Sequence, residues 1–316
     1  MKVAFYSPHL CLRGTTVAMY DYAYYNEKLL GNESIIFYDK DHQANNDTTI
    51  EKFTNVMECV PMDSINDIDK TIVDNQVDAI YIIKGGFKND GRMAHACKTL
   101  IHAVAMAPES EAHGDVYAYG SYWLSETCSE GRLPAVPHMV DLPDINDDLR
   151  DELLIPKDAI VFGRSGGLDT WNLPFASEVI QRVLNERDDI YFVFQNTPMF
   201  CMHPNIIYIQ PTSDMEYKVK FINTCDAMIH ARNEGESFGL SCGEFSIRNK
   251  PVITWNGSKE RNHIYVLGDK GIYYSNAQEM YDSLINFKPE PNKDWNCYRD
   301  YSPENIMKIF QRVYLR

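Results

Sequence analysis

The stretch Asp226-Ala227-Met228-Ile229-His230-Ala231-Arg232-Asn233-Glu234-Gly235-Glu236-Ser237-Phe238-Gly239-Leu240-Ser241-Cys242-Gly243-Glu244 decides how this chain is read. Asp226 to Ala231 has the apolar run of a buried strand. Glycines follow, then a helix that ends within Phe245 to Asn249, and then a second apolar run, Pro251-Val252-Ile253-Thr254-Trp255. A strand, a glycine-bearing loop and a helix N-terminus make an anion site, because free backbone N–H groups and the helix dipole point at the ligand. Glu236 and Glu244 bracket that turn with seven residues between them. Carboxylates repel phosphate but accept hydrogen bonds from hydroxyls, as on a ribose or a sugar. A phosphate cradle bracketed by hydroxyl acceptors points to a nucleotide-sugar.

Working outward, strands and helices alternate, which predicts α/β architecture with parallel sheets. In the first half, Val3–Ser7 reads as a strand and Thr15–Leu30 as a helix. Ser34–Tyr38, Ala79–Lys84, Leu100–Ala105, Val116–Ser121 and Pro134–Val140 read as further strands. The pattern restarts with a strand over Ala159–Gly163, a helix over Pro174–Asn185 and a strand over Ile190–Gln195; a last helix covers Ser302–Tyr314. The polar stretch Asp141–Asp158 separates the halves and reads as linker with a short helical segment. The expected organisation is a domain over 1–141, a linker over 142–157, a second domain over 158–301 and a terminal helix over 302–316. Two α/β halves in tandem imply a cleft between them.

The 316 residues are 44% hydrophobic, enough for packed cores, and carry a formal net charge of −15. That charge argues against a general nucleic-acid or anionic-membrane surface, which would need a local basic patch. No stretch is long and apolar enough to span a membrane, and the N-terminus reads as a strand rather than a signal peptide. Eight scattered cysteines, none in Cys-x-x-Cys spacing, read as reduced thiols and suit a cytoplasmic location. No Cys/His cluster has zinc-ligand spacing. Gly163, Gly166 and Gly167 do not make a dinucleotide fingerprint, which disfavours a nicotinamide dehydrogenase.

The Glu236–Glu244 segment resembles the Glu-x7-Glu signature of retaining glycosyltransferases of family 4, which have the two-domain GT-B fold. Glu236-Ser237-Phe238-Gly239-Leu240 matches the core of the signature, and Lys250-Pro251-Val252-Ile253 matches the strand after it. Val161-Phe162-Gly163-Arg164 resembles a strand ending in the Gly-Arg whose Arg binds the donor pyrophosphate. Val136-Pro137-His138-Met139-Val140-Asp141 resembles the segment entering the interdomain linker. The resemblance is firm over residues 158–260. It implies two Rossmann-like parallel-sheet domains facing a cleft, with the C-terminal helix returning to the first. It also implies transfer of a hexose-type sugar from a UDP- or GDP-sugar to a hydroxyl of a glycan or similar acceptor, with retention and with neither metal nor cofactor.

The resemblance assigns Glu236 to donor-sugar hydroxyls and Glu244 to the ribose. It assigns the amides around Ser237, Phe238, Gly239 and Leu240 to the diphosphate, together with Arg164. Its implied catalytic set is Glu236, Arg164 and His102, the last resembling a histidine that reaches the transferring sugar; His113 is a second candidate for that role. Gly14, in Arg13-Gly14-Thr15, stands where the family brings a loop under the donor phosphate, and Asn196 stands near the base. Ordinary explanations exist for several of these: His102 lies in an apolar run, as core histidines do, and Thr15 and Thr16 suit a helix cap. One departure stands out. The family carries a Lys shortly after the Arg, whereas Ser165-Gly166-Gly167-Leu168-Asp169-Thr170 has none; Arg232 is the expected substitute. The missing Lys also fits an inactive GT-B scaffold, and a non-hydrolysing nucleotide-sugar epimerase is the other alternative.

Overall fold

The computed structural model describes all 316 residues. Six strands form the first sheet: β1 (Lys2–Tyr6), β2 (Glu33–Asp39), β3 (Glu58–Met62), β4 (Ala79–Lys84), β5 (Lys98–Ala103) and β6 (Val116–Tyr119). Helices α1 (Gly14–Lys28), α2 (Asp47–Thr54), α3 (Ile68–Asp74) and α4 (Tyr122–Ser129) belong to the same half. The second half holds β7 (Ile160–Arg164), β8 (Ile190–Gln195), β9 (Ile206–Ile209), β10 (Ala227–His230), β11 (Gly235–Glu236), β12 (Val252–Trp255), β13 (Glu260–Arg261) and β14 (Ile272–Tyr274). Its helices are α5 (Ala176–Glu186), α6 (Met215–Thr224), α7 (Leu240–Ile247), α8 (Asn262–Leu267) and α9 (Ala277–Ile285); α10 (Pro303–Tyr314) closes the chain.

Two sheets result, ordered β3-β2-β1-β4-β5-β6 and β14-β12-β10-β7-β8-β9. Every pairing in both is parallel. Set aside the short β11–β13 pair, and both follow the doubly wound order in which the chain starts centrally, runs to one side, then crosses to the other. Strands covered on both faces read as unbroken apolar runs. β4 (AIYIIK) is accordingly buried at every position. Each sheet builds its own core, one around Tyr6, Ile80 and Ile101, the other around Phe162, Phe192 and Ile229.

The chain divides into a unit of Met1–Met139 with Tyr301–Arg316 and a unit of Val140–Asp300. Helix α10 therefore belongs to the first unit, where Tyr314 Oη donates to the Ile101 carbonyl at 3.0 Å and Phe310 lies 5.8 Å from Tyr81. Ser302 caps it and Pro303 occupies its first turn, where a missing N–H costs nothing.

Residues 142–157 differ from a free linker. They lie in the second unit, where Leu149 N–H donates to Thr224 Oγ1 at 2.8 Å and Arg150 pairs with Asp226 at 3.0 Å. They form no helix. Pro134–Val140 is not a strand: only the isolated bridge Tyr119–Ala135 forms, since Pro134 and Pro137 lack ladder donors. Helix α4 and the β11–β13 pair were not anticipated.

Candidate functional site

In a doubly wound sheet, ligands bind beyond the strand C-termini where the strand order reverses. In the second unit that point lies between β7, which ends in Arg164, and β10, which ends in His230. The chain leaving β10 makes the short parallel pair of β11 with β13, Gly235 opposite Glu260 and Glu236 opposite Arg261. Gly235 has φ +77°, and a Cβ there would sit 2.0 Å from the Glu260 carbonyl oxygen, so a side chain is excluded. Gly239 caps α7 with φ +92°, and a Cβ would meet His263 Cβ at 3.1 Å. No side chain caps α7. Its first ladder bond runs from Gly243 N–H to the Gly239 carbonyl, so the amides of Leu240, Ser241 and Cys242 lie ahead of the ladder, as an anion site requires.

Glu236 sits just before these amides with its side chain about 24% exposed. One oxygen, Oε1, is 3.1 Å from His230 Nε2, and Oε2 is 3.1 Å from Arg232 NH1. Burial alone raises a carboxyl pKa; here the His230 hydrogen bond and charge, with Arg232 and His263, outweigh it and hold the group at about 2. Arg232, expected to replace the missing Lys, is thus anchored on Glu236.

Glu244, inside α7, is almost fully buried. Its Oε1 is paired with Lys218 of α6, and its Oε2 has no partner. A buried carboxylate oxygen without a donor is rare enough to call for a ligand or water. The second unit also leaves Gln195 Nε2 at the end of β8, Trp255 Nε1, Asn262 Oδ1 and both ring nitrogens of His263 unpaired, and the first unit leaves His9 Nδ1 and His102 Nε2 unpaired. Burial pushes His263 down to about 3, so its ring is neutral at ordinary pH.

Arg164 has a different role in the structure from a free phosphate arm. NH1 donates to the carbonyls of Gln195 (3.1 Å) and Asn196 (2.7 Å) and to Thr197 Oγ1 (2.7 Å). NH2 donates to the Gly167 carbonyl (2.7 Å) and Thr170 Oγ1 (2.5 Å). The guanidinium joins the loops after β7 and β8. Burial lowers its pKa to about 10, leaving it charged. Asn196 belongs to this strut: its φ is +51° and its Nδ2 donates to the Gly166 carbonyl at 2.9 Å. Ser237 and Leu240 are half-buried and Phe238 buried, with the Phe238 carbonyl held by Asn262 Nδ2 at 2.8 Å and Tyr298 Oη at 3.3 Å.

The first unit holds the remaining candidates. His102 is fully buried within β5 and hydrogen-bonded to Tyr81 Oη, with the rings of Tyr22, His138 and Tyr314 around it. Burial drives its pKa well below the usual histidine range. It is a core histidine, because the helix-covered face of the sheet carries it away from any surface; the expected contact with a sugar is corrected. His113 accepts from Lys84 Nζ at 2.9 Å while its Nδ1 donates to the Glu111 carbonyl at 2.7 Å. Gly14 opens α1 at an exposed position. His230, His263, Lys218 and Asn262 were not among the expected site residues. His230 was legible as the last residue of an apolar strand before the Glu236 loop; the others reach the site only through folding.

Two α/β units, each with the doubly wound strand order, and a strand–glycine–helix site at the switch point of the second define the GT-B glycosyltransferase fold. A glycosyltransferase from Rickettsia africae ESF-5 matches with a TM-score of 0.71 and 14% identity, over 99% of this chain and 97% of its own. Sucrose-phosphate synthase from Thermosynechococcus elongatus matches at 0.70 and 11% identity, over 100% and 96%. Anabaena HepE in complex with UDP-glucose matches at 0.69 and 11% identity, over 99% and 95%. At these identities the likeness is one of fold. No family model matches the sequence. Extracellular metalloproteinase 10 of Uncinocarpus reesii is 23% identical over 225 residues, 60% of this chain, and the chain spans about a third of that protein's length (32%). No group of three His, Cys, Asp or Glu residues is placed to hold a metal ion. No helix is long and apolar enough to cross a membrane.

Proposed function

We propose that the protein moves a hexose-type sugar from a UDP- or GDP-sugar to a hydroxyl of a glycan or similar acceptor, with retention and without a metal ion. The observation that carries this reading is the buried Glu244 carboxylate, whose unpaired Oε2 stands one helical turn behind the open amides of α7. A hydroxyl acceptor beside a phosphate cradle fits a ribose linked to a diphosphate. The GT-B fold, and a structure of that fold holding UDP-glucose, support the same reading.

In this proposal the α7 amides hold the diphosphate and the charge of Arg232 lies beside it; Arg164 acts by bracing the loops after β7 and β8. Glu236 accepts from sugar hydroxyls. As the bond from the anomeric carbon to the diphosphate oxygen breaks, the acceptor oxygen bonds to that carbon on the same face. The departing diphosphate takes the acceptor's proton. Donors aimed at the developing charge supply the stabilisation. A second reading, donor binding without turnover, draws on the closed hydrogen bonding of Arg164 and the missing Lys.

The test is a melting-temperature panel with UDP, GDP and their sugars, followed by hydrolysis and transfer assays with Glu236→Ala as control. A ligand at about 100 times its Kd adds roughly 2.7 kcal/mol of stability, a shift of several degrees. A folded protein that no donor stabilises refutes the reading; stabilisation without turnover across a broad acceptor panel favours the second one.

A further inference from the structure

We infer that His230 is a positioning residue: its imidazole, pinned by Thr254, holds the Glu236 carboxylate in one orientation. The inference rests on the reading that Glu236 meets the donor sugar. His230 ends β10 and lies directly beside Thr254 of β12 in the parallel register. Its Nδ1 is 2.9 Å from Thr254 Oγ1 and its Nε2 is 3.1 Å from Glu236 Oε1. An ionised carboxylate only accepts, so Nε2 carries the proton. With the ring neutral, Nδ1 accepts from the Thr254 hydroxyl; with the ring charged, Nδ1 donates to Thr254 Oγ1; in both states the Nε2–H faces Glu236.

The backbone and the ring faces are held as well. Tyr274 Oη donates to the His230 carbonyl at 2.8 Å, and the His263 ring packs 4.9 Å from the His230 ring. Arg232 NH1 takes the other Glu236 oxygen. The carboxylate is therefore gripped from a strand end on one side and from its own loop on the other. Two hydrogen bonds on different oxygens fix both its position and its plane, whereas one leaves it free to rotate. The other charged or titratable groups acting on Glu236 are His263, Arg164, Glu260 and Cys242, from α8, β7, β13 and α7. None of these four stands within hydrogen-bond distance of its oxygens; His230 and Arg232 do. The buried ring of His102 differs: its Nδ1 bonds to Tyr81 Oη and its Nε2 meets no carboxylate and is unpaired.

The test compares the wild type with His230→Leu, His230→Gln and Thr254→Val. Gln can still present an N–H near the Nε2 position; Leu cannot. In the wild type, nitrogen NMR is expected to show the proton on Nε2. Carbon NMR of the Glu236 carboxyl is expected to give an apparent pKa raised by about one unit or more in His230→Leu and less in His230→Gln. UDP-glucose binding is expected to fall about tenfold in His230→Leu, with UDP binding within about twofold of wild type and Gln restoring most of the loss. Thr254→Val, which removes only the pin, should shift both readouts in the same direction by a smaller amount, and it serves if His230→Leu does not fold. An unchanged Glu236 titration, or equal losses of UDP and UDP-glucose, overturns the positioning role. If the wild type binds neither ligand, the donor reading fails, and the carboxyl titration still decides whether His230 governs Glu236.

Discussion

The two sheets share a strand order and differ in what they do with the polar groups at their C-terminal ends. In the first, Lys84 ends β4 with no side-chain exposure, and its ammonium is saturated by Asp90, His113 and the Arg92 carbonyl. Nearby, Tyr6 Oη donates to Asp39 at 3.2 Å. In the second, Glu244 is buried as well but keeps one carboxylate oxygen unpaired; unpaired uncharged atoms occur in both units, among them His102 Nε2 and Asn262 Oδ1. A buried charge by itself does not mark a ligand site. A buried charge with unused hydrogen-bonding capacity does, because leaving it unmade is costly.

Removing Lys84 tests that contrast most severely. Lys84→Met is expected to destabilise the protein by about 3 kcal/mol, since the contacts of its ammonium with Asp90, His113 and the Arg92 carbonyl are lost together while Arg92 still pairs with Asp90 at 3.4 Å, and UDP binding per folded molecule stays unchanged. Denaturant unfolding and calorimetry on the folded fraction measure the two. A loss of UDP affinity would show that the first sheet's edge is not merely structural.

Acid comes next. Burial lowers His138 to about 4 and His263 to about 3. Below about pH 6.5 the unfolded chain takes up these protons before the folded one does, so stability falls as pH drops from 6.5 toward 4. His138 alone accounts for roughly 3 kcal/mol of that loss. Glu236, held at about 2, extends the loss below its ordinary range of about 4.5. A pH series of urea midpoints checks this; a flat profile between pH 7 and 4 contradicts it.

Glu244→Gln removes the countercharge of the mostly buried Lys218 ammonium, so it should cost about 1–3 kcal/mol of stability, and it should also weaken UDP by about 10- to 100-fold, the worth of a charged hydrogen bond of roughly 1.5–3 kcal/mol. If instead it behaves like Lys84→Met, with lost stability and intact binding, the distinction between the two edges disappears. The smallest expected effect is that of Arg232→Ala, about a tenfold loss for UDP-glucose. Titration calorimetry reads it, and unchanged affinity removes Arg232 from the donor site.

The alternation of elements and the Glu236–Glu244 motif were legible because both are local: a buried parallel strand is an apolar run, and a nine-residue motif folds around its own glycines. His102 was misread because an apolar strand does not say which of its faces is covered. That depends on α1 and on α10, whose Tyr314 lies far along the chain. Arg164 was read as a free guanidinium because its five acceptors lie on loops that come together only in the sheet. The polar run 142–157 reads as linker; Thr224 and Asn223 satisfy its backbone, with Asn223 Nδ2 donating to the Ile145 carbonyl at 2.9 Å.

By itself the sequence determined the fold class, the two α/β halves and the glycine-defined turn ahead of α7, since these rest on hydrophobic periodicity and on backbone conformations open only to glycine. The tertiary structure decided which polar groups are spent and which remain. Only folding sets Lys218 against Glu244, Thr254 against His230 and His113 against Lys84, because hydrogen-bond saturation depends on neighbours brought together across the sheet, and spacing along the chain does not encode it.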